Sequence, residues 1–80
     1  MHELSLTREI IAIVCQAADG RRVHKVSLDI GRLSCVAPSA ITFCFEAVAQ
    51  GTLADGAHLE IRRTDGDELN VTTMEVEEAL

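Results

Sequence analysis

His2 and Glu3, in the opening MHELSL, set an imidazole beside a carboxylate directly ahead of an apolar stretch. Both groups ligate metals. A histidine close to a chain end is nonetheless most often incidental, because chain ends are solvated and tolerant of change. The other candidate donors are scattered. His24 falls on the polar face of a strand and His58 opens the next one, so adjacent strands could bring them together, against the commoner case of two solvated surface histidines. Cys35, in LSCVAP, is either an exposed soft ligand or simple filler. Cys15 and Cys44 lie on helical apolar stripes and read as core. Three cysteines cannot pair completely, and no two stand at the CxxC spacing that clips zinc, so they read as reduced thiols. Glu75, Glu77 and Glu78 form a charge run of the kind that usually stays solvated. No Ser/His/Asp or Cys/His arrangement, paired acid motif or phosphate-cradling glycine loop can be assembled, which argues against an enzyme.

Composition narrows the classes further. With 80 residues, a net charge of −6 and Phe43 and Phe45 as its aromatics, the chain suits a single domain over 1–80 with a thin core. The acidic balance and lack of stacking surface exclude nucleic acid as a natural partner. The apolar run IIAIVC is far shorter than the roughly 20 residues that span a bilayer, and the acidic start MHE has the wrong sign for a secretory leader. These features predict a cytoplasmic protein that does not engage membranes.

The donors must be positioned by a short series of elements. Leu6, Ile10, Ile13, Val14 and Ala17 recur at helical spacing, with Ser5 as N-cap and Gly20 as the stop. In VHKVSLDIGRL, Val26, Leu28 and Ile30 alternate with polar residues, as in a half-buried strand. Pro38 suits a first helical turn, and Ile41, Cys44, Phe45 and Val48 continue that helix to Gly51. AHLEIRR and ELNVTTMEV supply two more strands. The order α-β-α-β-β predicts an α/β (α+β) two-layer sandwich, two helices on one face of a three-stranded mixed sheet. The first two strands are expected to run parallel through a right-handed crossover, and the last two to form an antiparallel hairpin with the third strand in the middle. Asp65-Gly66 invites a two-residue turn. That register would turn Leu69 and Val71 away from the core, so an odd loop or bulge near Asp65–Asp67 is expected to keep Leu59, Ile61, Leu69 and Val71 on one face.

In this order the sequence resembles the HypA/HybF family of nickel-insertion proteins for hydrogenase and urease maturation. MHELSL looks like the family's signature start, VSLDIGRLS like its first strand and turn, FCFEAVAQGT with DGAHLEI like its second helix and strand, and GDELNVTTMEVE like its final strand. Family members carry a zinc-binding insertion with two CxxC pairs between the strands matching LEI and ELNV, where this chain has RRTDGD at 62–67. The resemblance thus implies the nickel-binding domain alone, with no zinc, either as a natural variant or with a turn in place of the insertion.

The resemblance implies a nickel metallochaperone in which His2 is the essential Ni(II) ligand and Glu3 a supporting residue. The chemistry is consistent, since Ni(II) favours planar nitrogen donors. The Met1 amine, the main-chain nitrogens of His2 and Glu3, and the His2 imidazole could supply such a set. By the same resemblance the partners are the nickel-handling GTPase HypB and a hydrogenase or urease precursor. The alternative is a metal-free protein-interaction module of the same descent. A monomer is expected, with a strand-swapped dimer as the variant.

Overall fold

The computed structural model describes residues 2–78. Its elements are α1 (His2–Ala18), β1 (Val23–Gly31), α2 (Pro38–Ala49), β2 (His58–Thr64) and β3 (Leu69–Val76). The element order and types match the reading of the sequence, and the helices enclose a core against a mixed sheet. Ile10, Ile11, Val14 and Ala18 of α1 meet Ile41, Phe45 and Ala49 of α2 over Val26, Leu28 and Ile30 of β1.

The sheet order differs from the expected one. It is β2-β1-β3, with β2 parallel and β3 antiparallel to β1. The last two strands form no hairpin, and β1 rather than β3 is central. The reason is apolar content: Val26, Leu28 and Ile30 are at most 1 % exposed, and the central position removes the most surface from water on both flanks. The chain must therefore cross the end of β1 to reach the far edge. Two interstrand gaps are about 10 Å, within reach of the short link Asp65–Glu68. That link is laid over β1 by main-chain bonds: Gly31 N–H donates to the Glu68 carbonyl (2.7 Å), Arg32 N–H to Thr64 (2.9 Å) and Leu33 N–H to Gly66 (2.9 Å). The Arg32 guanidinium donates to Asp65 at 2.9 Å. Asp65-Gly66 is thus a crossover strap and not a hairpin turn.

The inward placement of Leu59, Ile61, Leu69 and Val71 holds, since all four pack against the core. The irregularity that allows it lies elsewhere than expected. Ser27 pairs with Thr73 and Leu28 with Val71, leaving Thr72 as an extra residue in β3. This bulge lets Leu69 and Val71 share a face with Met74 and Val76 despite the change of parity. The Thr72 hydroxyl donates to the Ser27 carbonyl at 3.2 Å and holds the extra residue outward.

Two further expectations about α1 fail. The helix starts at His2, so Ser5 sits inside it and caps nothing. Its buried stripe is Thr7, Ile10, Ile11, Val14 and Ala18, whereas Ile13 is 56 % exposed and Ala17 is exposed. Both residues fit a helical period, but the period does not say which of two neighbouring stripes the sheet covers. Buried Thr7 satisfies its hydroxyl on the Glu3 carbonyl at 2.7 Å.

The other sheet face is polar. Arg62 donates to both Asp29 oxygens, at 3.0 and 2.7 Å. This hydrogen bonding, reinforced by the guanidinium charge and opposed by burial, holds the Asp29 carboxyl below its ordinary range. A carboxylate whose native pKa is depressed contributes stability above its unfolded value, about 3.9 for Asp, and loses it as pH falls through the native value. Asp29→Asn is therefore expected to be less stable than wild type at neutral pH, with the gap closing below about pH 4; urea midpoints across pH measure this.

Candidate metal centre

His2 and Glu3 lie in the first turn of α1, not ahead of the helix as the sequence reading placed them. The first four N–H groups of a helix have no intrahelical acceptor. The His2 side chain is 56 % exposed, and its Nε2 stands 3.6 Å from Glu3 Oε2. Met1, the third expected contributor, lies outside the described residues.

Glu3 is more embedded than its neighbour, with a side chain only 13 % exposed. Its Oε2 accepts a hydrogen bond from Ala37 N–H at 3.4 Å, across 34 residues of sequence. Ala37 immediately precedes α2. One carboxylate thus sits at the start of both helices, where the positive ends of two macrodipoles favour an anion. Hydrogen bonding, that from the N–H groups of Glu3 and Ala37 included, together with the nearby His2 and against desolvation, holds this carboxyl below its ordinary range. Sequence reasoning missed Ala37 because it contributes only a backbone N–H, which no residue type announces.

The consequence for a cation is specific. A helix N-terminus alone repels positive charge, and the Glu3 carboxylate offsets that field at the point where His2 projects. Among the described residues no group of three or more His, Cys, Asp or Glu side chains could hold an ion.

The remaining donors stay apart. His24 Nε2 lies 3.7 Å from Glu77 Oε1. His58 lines a different cleft, with Glu46 and Asp55 between α2 and β2, although its strand does pair with β1. Cys35 is exposed, in a loop where its φ is +62°, while Cys15 and Cys44 are partly buried; all three are free thiols. These residues do not supply a Cys₄ zinc shell.

Comparison with known proteins identifies the family. Residues 1–69 match the family described as HypA, hydrogenase/urease nickel incorporation, metallochaperone. The hydrogenase maturation factor HypA of Geobacter sulfurreducens is 52 % identical over 66 residues, covering 82 % of this chain and 60 % of that protein. The factor of the same name from Trichodesmium erythraeum is 48 % identical over 66 residues, covering 82 % and 58 %. The chain thus spans about 60 % of the length of these curated relatives. The solution structure of the Ni metallochaperone HypA from Helicobacter pylori shares the fold with a TM-score of 0.74 at 23 % identity, over 91 % of this chain and 72 % of that one. With the family match spanning α1 through the start of β3 and the His2–Glu3 turn at its head, this chain belongs to the HypA family.

Proposed function

We propose that this domain is a non-enzymatic nickel carrier that takes up Ni(II) through His2, Glu3 and the adjoining main-chain nitrogens, including the Met1 amine, and passes it on for maturation of [NiFe] hydrogenase or urease. The observation that carries the reading is the exposed His2 imidazole in the first turn of α1, beside a Glu3 carboxylate that also accepts from Ala37 N–H. An open ligand set at a chain end exchanges its metal readily, which suits delivery better than storage. The family and the named function of its relatives support the same reading. We assign the nickel-handling GTPase HypB and a hydrogenase or urease precursor as partners, a cytoplasmic location and a monomeric state. Among the described residues no helix is long and apolar enough to cross a membrane.

The proposal extends to zinc. The chain is a single domain in which the segment 62–67, the end of β2 and most of the strap, stands where family resemblance places a zinc-binding insertion, and its cysteines at 15, 35 and 44 lack the spacing to hold that ion. Folding is therefore expected to be independent of metal, and EDTA should leave the thermal midpoint of nickel-free protein unchanged. A sharp fall would reveal a structural metal.

Nickel titration of the chain with its native amino terminus tests the carrier itself. Saturation near one equivalent is expected. No saturable binding would leave the metal-free interaction module as the function. Sedimentation that gave twice the chain mass would replace the monomer with the strand-swapped form.

A further inference from the structure

The α1 stripe that the sequence pointed to and the sheet did not cover suggests a second role, independent of nickel. Leu6, Ile10 and Ile13 face Leu69 and Val71 across a cleft of about 350 Å³, with Glu9 and Asn70 at its rim. Ile13 stands more than half exposed there. A large aliphatic side chain at helical core spacing that its own chain leaves uncovered is a point for contact with something else.

The strand beside the cleft is open on its outer side. Among the described residues β3 pairs only with β1, so its other edge presents main-chain groups that no described strand pairs. The two sheet edges differ in how they are protected. β2, HLEIRRT, carries Glu60, Arg62 and Arg63, the charges that commonly blunt an edge. β3 begins LNVTTM, without charge or proline. Its bulge at Thr72 breaks the ladder, which confines further pairing to the Leu69–Val71 end, the part that borders the cleft. A short strand added there would hydrogen-bond to the edge and drop alternate side chains against Ile13 and Leu6.

Charge selects the occupant. The cleft lining contains one charged residue, Glu9, and no cation, and the whole chain carries −6. A second copy would bring like charge to a short contact, whereas a segment carrying Lys or Arg between apolar residues would meet Glu9. We propose that the α1–β3 cleft is a docking site for an extended partner segment that alternates apolar with basic residues and adds to the Leu69–Val71 edge.

The probe is a short capped peptide of alternating lysine and valine, added to the ¹⁵N-labelled full chain, with a glutamate–valine peptide as control. Amide shifts confined to Leu69–Val71 and the Leu6–Ile13 face are expected, with at least tenfold weaker binding of the acidic peptide. Ile13→Asp, at an exposed position that leaves the core intact, should weaken binding tenfold or more, and Glu9→Lys several-fold. Shifts centred on β2, equal binding of the two peptides, unchanged affinity in Ile13→Asp, or no shift at low-millimolar peptide would each overturn the proposal. So would a dimer of the free chain that Ile13→Asp dissolves, because the cleft would then belong to a second copy.

Discussion

His2→Ala is expected to abolish specific nickel binding while leaving the fold intact. The imidazole is the one side-chain nitrogen at the site, so its loss removes a ligand outright. Loss of a residue that merely supports a ligand costs about 10- to 100-fold in metal affinity, so the fall here should exceed about 100-fold. Glu3→Gln, which keeps the shape but removes the charge at the two helix starts, should fall in that supporting range. An amino-terminal extension that turns the Met1 amine into an amide should weaken binding strongly by the same reasoning. Helical content and thermal midpoint of His2→Ala should stay near wild type, because the half-exposed side chain packs against nothing in the core and surface changes usually lie within about 0.5 kcal/mol. Calorimetric titration and circular dichroism on the same samples check both halves. Full affinity in His2→Ala would send the assignment to His24, His58 or Cys35.

Gly31→Ala is expected to be the most damaging single-methyl change in the chain. A Cβ built at Gly31 overlaps the carbonyl oxygen and carbon of Gly66, both main-chain atoms of the strap. Neither can move away freely, because Gly31 and Leu33 donate main-chain bonds to that strap and Arg32 to Thr64 just ahead of it. Inserted methyl groups in a packed site cost about 1–3 kcal/mol and occasionally more. Rigid backbone on the receiving side places this one near the top, at about 3 kcal/mol. For a domain of this size that lowers the midpoint by about 12–24 °C. Gly66→Ala provides the control, since its Cβ would meet only the movable Glu68 carboxylate, and a loss under about 1 kcal/mol is expected. Equal midpoints for the two variants would show that the strap is not held rigidly over β1.

How much of this was legible in the sequence follows from which forces act locally. The period of Ile41, Cys44, Phe45 and Val48 read correctly as one helix face, because Pro38 and Gly51 fix its ends and Ile41, Phe45 and Ala49 are buried. The alternation of Val26, Leu28 and Ile30 read correctly as a strand with one face in the core. The opening His2–Glu3 pair was visible as donor types, and the family match covers it. Ile13 shows the limit: its spacing was right for burial, yet the sheet covers the adjacent stripe of α1.

What the sequence determined by itself was therefore the set of elements, the inward faces of β1 and α2, and the donor residue types His2 and Glu3 at its start, since these depend on residue type and on spacing along one strand or helix. Only the tertiary structure decided which strand is central, that Asp65-Gly66 is a strap and not a turn, and that Glu3 reaches the start of α2. Each of these joins residues distant in sequence, and each depends on competition for burial and for backbone partners. Three buried aliphatic residues drew β1 to the middle against a strong local turn signal, and a main-chain N–H at Ala37 became the anchor of a carboxylate that the sequence could show only as an acid near a histidine.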